Sequence, residues 1–290
     1  MPEQVPAQAE AQGRESFGSR LGAAMASRGP LCVGIDPHPA LLRSWGLADD
    51  VAGLRRFSLT VVEAVASLAA AVKPQVALFE RHGSAGMAVL EEVLAEARDQ
   101  SVLTIADAKR GDIGSTMAAY ADAWLRDGSP LAADSVTLSP YLGFESLRPA
   151  LDLAAETGRG VFVLALTSNP EGASVQHVGG ADSVARRITS AAARENERYQ
   201  GSLGSVGLVV GATVGSALAD LDLDLAAVRG PILAPGLGAQ GATPADLRAT
   251  FGDAYPLVLG TSSRDILAAG PEHRGLREAA QRTLAGLRQG

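Results

Sequence analysis

Short apolar, β-branched runs recur along the chain, and stretches with apolar residues at helical spacing separate them. The runs are Leu31–Ile35, Ala71–Phe79, Val102–Ala106, Ser135–Leu138, Val161–Leu166, Val206–Val210, Pro231–Ala234 and Pro256–Leu259. The intervening helical patterns span Leu54–Ala70, Ser84–Arg98, Ser115–Leu125, Ser146–Glu156, Asp182–Tyr199, Thr243–Thr250 and Arg264–Leu287. In the second of these, Met87, Leu90, Val93 and Leu94 fall three or four apart and share a helix face. Asp182-Ser183 and Thr243-Pro244 suit helix starts, because a short polar side chain caps free backbone N–H groups and proline tolerates the first turn. Strands alternating with helices imply parallel βαβ units. Eight such units predict a single-domain (β/α)8 TIM barrel, a fold of about 250 residues. The competing architecture is an open doubly wound sheet, which has fewer strands and binds its ligand where the strand order reverses.

No composition break divides the chain, so the barrel is expected over residues 17–290. Residues 1–16, rich in Gln, Glu, Ala and Pro, read as a disordered tail. The connection from Ser168 to Gly180 is long and contains glycine, as a mobile lid would.

In a barrel of this kind, polar residues at the C-terminal ends of strands read as active-site residues. The first run ends in Asp36-Pro37, and the second carries Lys73 inside an apolar stretch, where an ammonium is expensive unless paired. The third leads into Asp107-Ala108-Lys109-Arg110-Gly111-Asp112. On a strand, residues i and i+2 share a face, so Asp107 and Lys109 should project together. Opposite charges that close keep the aspartate ionised and the lysine protonated. The same pattern also fits a surface ion pair of little energetic value. The fifth run ends in Thr167-Ser168-Asn169, which is either a polar site edge or a plain turn.

The seventh run leads into Gly236-Leu237-Gly238-Ala239-Gln240-Gly241, a match to G-x-G-x-x-G. Its place in the seventh unit, with Gly260 and Thr261 where a ribose-binding acid would stand, argues against a dinucleotide site. Glycines there let backbone N–H groups approach a phosphate, and barrels often bind phosphate after strands 7 and 8. Gln240 and Arg264 are the natural side-chain ligands, and an arginine at a helix start, against the dipole, suits a bound anion.

The bulk numbers narrow the partners. The 290 residues carry a formal net charge of −7, which argues against general affinity for nucleic acid or an anionic membrane. No stretch reaches the ~18 apolar residues of a membrane span, and the N-terminus lacks the features of a signal peptide. The only cysteine, Cys32, lies in an apolar run and reads as a buried structural thiol. One cysteine permits no intrachain disulfide, which suits a reducing, cytoplasmic setting.

The stretch Thr104-Ile105-Ala106-Asp107-Ala108-Lys109-Arg110-Gly111-Asp112-Ile113-Gly114-Ser115-Thr116 resembles the signature of the orotidine 5′-phosphate decarboxylase family. Its D-x-K-x-x-D core also occurs in related barrels that handle sugar phosphates. The resemblance extends over about residues 17–288 through the order of Asp36, Lys73, Asp107, Lys109, Asp112, Ser168, Gln240 and Arg264. Phe79-Glu80-Arg81-His82-Gly83 and Thr137-Leu138-Ser139-Pro140-Tyr141-Leu142-Gly143 resemble the longer bacterial subgroup.

The resemblance implies decarboxylation of orotidine 5′-phosphate to UMP and CO2, the last step of UMP biosynthesis, with no metal and no organic cofactor. It implies that Lys109 stabilises and protonates the C6 carbanion, and that Asp107 holds Lys109. Lys73 and Asp36 would bind the ribose, Ser168 or its neighbour Thr167 the pyrimidine, and Gln240 with Arg264 the phosphate. It further implies a homodimer in which Asp112 and Thr116 reach the partner subunit's site.

Overall fold

A computed structural model describes residues 13–238 and 241–288. The eight runs form eight parallel strands, β1 Leu31–Ile35, β2 Ala71–Pro74, β3 Leu103–Arg110, β4 Ser135–Leu138, β5 Gly160–Leu166, β6 Val206–Val210, β7 Ile232–Pro235 and β8 Val258–Ser262. They pair in chain order, and β8 closes on β1 through Leu31 opposite Gly260, so the sheet is a closed barrel. The open-sheet alternative is thereby excluded. Closure removes sheet edges, and the long helices Val51–Val65, Gly83–Asp99, Gly114–Leu125, Arg148–Thr157, Val184–Asn196 and His273–Arg288 cover the outer face.

Several boundaries differ from the sequence expectation, each for a local reason. β2 stops at Pro74, which has no N–H to continue the ladder, and Ala77–Glu80 turn into a short helix. β3 runs past Ala106 to Arg110 through a register shift: Ala106 lies opposite Val136, yet Arg110 lies opposite Leu138. Four residues of β3 thus span two of β4, a bulge that bends the strand end. The long pattern Arg264–Leu287 is two helices, Arg264–Leu267 and His273–Arg288, because Pro271 cannot continue a helix. Both expected caps form: Ser183 accepts from Arg186 N, and Thr243 makes a reciprocal capping box with Asp246.

The barrel interior changes character along its axis. At the N-terminal ends of the strands, Cys32, Ala71, Ile105, Phe162, Val209, Leu233 and Leu259 pack with Phe17 and Leu21. The last two come from the helix Phe17–Arg28, which caps this end. Phe17 meets Phe162 edge-on with ring centroids 5.9 Å apart. Gly160 makes room for this contact, since a Cβ there would lie 2.2 Å from the Phe17 ring. Burial among these groups pushes the Cys32 thiol up to about 12, as the structural reading of that residue requires. Residues 1–12 of the expected tail lie outside the described residues. Within the rest, Arg14 pairs with Asp127 at 2.8 Å and Ser16 caps the first helix. Among the described residues no helix is long and apolar enough to cross a membrane.

Candidate active site

Alternation carries the inward columns of the strands from apolar to polar toward their C-terminal ends. Above Cys32 come Gly34 and Asp36; above Ala71 come Lys73 and Gln75; above Ile105 come Asp107 and Lys109; above Ser135 comes Thr137. These columns converge on one carboxylate. Asp107 Oδ2 accepts from Lys73 Nζ at 2.8 Å and from Gln75 Nε2 at 3.0 Å. Asp107 Oδ1 accepts from Lys109 Nζ at 2.6 Å and from Thr137 Oγ1 at 2.9 Å. Four donors from three strands therefore fix the plane of this buried group.

Burial alone would raise the Asp107 pKa, but the Lys73 and Lys109 ammoniums hold it well below the usual carboxylate range. Burial likewise works against the charge on Lys73, and Asp107 and Asp36 reverse it, so that ammonium is held above its ordinary value. A buried lysine of this kind is tolerated because its partner lies within hydrogen-bond distance. Lys109 is different: its side chain is 46% exposed while Asp107 is 8% exposed. One end of the array is thus sealed and the other opens to a bound molecule. Lys109 also adopts φ +48°, a left-handed conformation rare for a residue with a side chain, at the bulge in β3.

Asp36 follows β1, and Ser263 Oγ donates to its Oδ2 at 2.6 Å. The other oxygen, Oδ1, is buried and has no protein partner. Gly34 allows this approach, because a Cβ there would fall 2.8 Å from Ser263 Cβ and 3.3 Å from Asp36 Oδ1.

The loops after β7 and β8 also meet. Gly236, Gly238 and Gly241 take φ values of +117°, +81° and +95°, which only glycine adopts freely. A Cβ on Gly238 would lie 1.9 Å from Asp265 Oδ2, so the glycine lets the β7 loop rest on the β8 loop. Gly238 N and Gly241 N bond within the loop, to Ala242 O and Gly238 O, and do not point to a ligand. Gln240 lies outside the described residues. Arg264 is exposed and lines a cleft of about 610 Å³ with His38 and Arg43. Lys109 lines a different cavity of about 780 Å³ with Tyr141, Thr167, Gly172 and Gln176. The candidate lid forms part of its wall through short helical turns at Pro170–Gly172 and Ala173–Gln176. Thr167 is tied to it by bonds to Gln176. Ser168 is exposed and lines neither cleft, its Cβ packing toward Gly211.

Asp112 and Thr116 are not brought to Lys109 in their own chain. Asp112 Oδ1 accepts from Ile113 N at 2.7 Å, and Thr116 is exposed on the first turn of the next helix. Ile113, next to Asp112, is exposed, as are Tyr141 and Leu142 in the loop after β4.

A model of the orotidine 5′-phosphate decarboxylase / HUMPS family matches residues 29–279. The orotidine 5′-phosphate decarboxylase of Salinispora arenicola is 59% identical over 94% of this chain and 98% of its own length. That of Streptomyces coelicolor is 56% identical over the same shares. A crystal structure assigned to this enzyme from Streptomyces avermitilis superposes with a TM-score of 0.91 at 56% identity, covering 98% of both chains. This chain belongs to the orotidine 5′-phosphate decarboxylase / HUMPS family. It is an enzyme of the decarboxylase type.

Sequence reasoning misses three residues that bond the carboxylates of the candidate site: Gln75, Thr137 and Ser263. Their signal is the period of two. Gln75 is two residues beyond Lys73, Ser263 two beyond Thr261, and Thr137 two beyond Ser135 on a strand buried throughout. Each of these three bonds a carboxylate of the candidate site, Gln75 and Thr137 to Asp107 and Ser263 to Asp36.

Proposed function

We propose that this chain decarboxylates orotidine 5′-phosphate to UMP and CO2, the last step of UMP biosynthesis, without a metal or organic cofactor. The observation that carries the reading is one buried aspartate bonded to two lysines, with the outer lysine at the wall of the larger cavity. The identity to enzymes named for this reaction supports it over the sugar-phosphate chemistry found elsewhere in the family.

Breaking the C6–carboxylate bond leaves its electron pair on C6, where no adjacent carbonyl can delocalise it. A fixed ammonium is the complement of that charge, and a preorganised one needs no rearrangement as the charge develops. In this reading Lys109 stabilises the carbanion and transfers a proton to it, then regains a proton from solvent. The reaction consumes one proton and releases CO2. Asp107 holds Lys109 in place beside the departing carboxylate. Lys73 and the free oxygen of Asp36 bind the ribose hydroxyls. Ser168 or Thr167 meets the pyrimidine, with Thr167 favoured because it lines the cavity that Lys109 lines. Gln240 and Arg264 hold the phosphate. Binding energy gained so far from C6 serves closure of the site.

A second copy of the chain supplies Asp112 and Thr116. The exposed apolar side chain of Ile113, next to Asp112, supports such a contact, because exposed apolar surface marks interaction sites. A cytoplasmic setting belongs to the same reading.

The test is to follow the absorbance lost as orotidine 5′-phosphate is consumed, with and without EDTA. Unchanged turnover in EDTA is expected; turnover abolished by the chelator contradicts the cofactor-free reaction.

A further inference from the structure

We propose that Thr137 is a positioning residue that sets the geometry of the Asp107–Lys109 pair from the neighbouring strand. The inference rests on the reading of that pair as the decarboxylating groups. Thr137 lies on β4, 1% exposed, inside the register shift where β3 bulges. Its hydroxyl makes two bonds at once. It donates to Asp107 Oδ1 at 2.9 Å and accepts from the backbone N–H of Lys109 at 2.9 Å.

A hydroxyl has one proton and two lone pairs, so this donor–acceptor arrangement uses the proton and leaves no choice of direction. The proton goes to the carboxylate because the Lys109 N–H is itself a donor and offers no lone pair to accept one. The single oxygen therefore ties the side chain of Asp107 to the main chain of Lys109, two residues later.

That tie matters because the Lys109 backbone is left-handed. The conformation is unfavourable for any residue with a side chain, and surrounding contacts must hold it. An extended Lys109 would need its N–H to find a ladder partner on β4. Instead the bulge withdraws it from the ladder, and the threonine side chain takes the ladder's place. The ammonium then returns to Asp107 Oδ1, the same oxygen that Thr137 holds. Without the hydroxyl, Asp107 loses one of four donors and the Lys109 N–H loses its partner. The charge array survives, but its outer lysine is free to drift from the reacting carbon. Misplacement by about 1 Å can cost on the order of 10²-fold in rate.

The experiment compares Thr137→Val, which keeps shape and removes the hydroxyl, with Thr137→Ser, which keeps the hydroxyl. Steady-state turnover of orotidine 5′-phosphate, UMP affinity by calorimetry and unfolding midpoints are measured for each. Thr137→Val should lose about 10- to 100-fold in kcat, with KM and UMP affinity within about threefold of wild type, because the groups that would contact substrate remain. Thr137→Ser should stay within about threefold in kcat. A serine variant as slow as the valine variant would mean that packing, not the hydroxyl, matters and would overturn the inference. So would a valine variant as fast as wild type, or a loss confined to KM. If the valine variant does not fold, Thr137→Cys against Thr137→Ser tests the same hydroxyl, the thiol being the weak donor. A wild type that fails to turn over the substrate overturns the decarboxylase reading and this inference with it. An active wild type beside an equally fast valine variant overturns the inference alone.

Discussion

At the N-terminal end of the barrel the inward columns carry Cys32, Ala71, Ile105 and Leu259, closed over by Phe17 and Leu21. Farther along, the columns of β2, β3 and β4 carry Lys73, Asp107 and Thr137, and beyond them come Asp36 after β1 and Lys109 on β3. The lower layer is sealed by side chains of a single chain, with every large group near 0% exposure. In the upper layer two ammoniums bond one carboxylate, Asp107, with a second, Asp36, beside Lys73, and the outer lysine is exposed. A pleat of period two makes both layers from one set of strands, and the upper one departs from the ladder at the bulge in β3. The lower layer stabilises the fold, whereas the upper one maintains a charge arrangement that hydrophobic replacements would relieve.

If the upper end is completed by a partner subunit while the lower end is complete alone, mixing variants should separate them. Lys109→Ala and Asp112→Ala, each inactive, should regain activity when their subunits exchange. Each heterodimer then carries one intact site, so equal mixing should restore about a quarter of wild-type turnover, half of the dimers having half of their sites. No recovery with exchange confirmed by mass spectrometry would break this half of the comparison.

At the lower end the corresponding cut is Phe17→Ala. Emptying a fully buried aromatic position should lower the unfolding free energy by about 3–5 kcal/mol, read from urea midpoints, with kcat of the folded protein near wild type. A variant with unchanged stability and reduced kcat would mean that the lower layer is not merely structural.

The smallest effect concerns acid. Because the folded Asp107 pKa lies below its unfolded value, its charge stabilises the fold above the unfolded value, about 3.9. That contribution is lost as pH falls through the lower, folded value. The gap in urea midpoint between wild type and Asp107→Asn should therefore shrink as pH falls from about 5 toward 2. A gap that stays constant over this range would detach Asp107 from the stability of the upper layer.

The eight strands were legible because parallel strands buried on both faces read as continuous apolar runs. The pairing of Asp107 with Lys109 was legible from alternation, although the geometry that delivers it is a bulge with a left-handed lysine, which propensity does not encode. Lys73 announced itself as a charge in a buried strand. Thr137 and Gln75 were harder, since an uncharged polar residue inside a strand also suits a plain hydrogen bond to the backbone. The helix Phe17–Arg28 buries only Phe17 and Leu21 among its larger side chains, too few for a periodic signal. Its role comes from Gly160 and Phe162, far along the chain. The approach of Gly238 to Asp265 is likewise a property of two loops together.

The central claim is that Lys109 is the group that meets the charge at C6. The direct measurement is kcat for orotidine 5′-phosphate in Lys109→Ala, beside its unfolding midpoint and UMP affinity. Losing both electrostatic stabilisation and the proton donor should lower kcat by about 10³-fold or more with the fold retained. A folded Lys109→Ala enzyme turning over at near the wild-type rate would contradict the account.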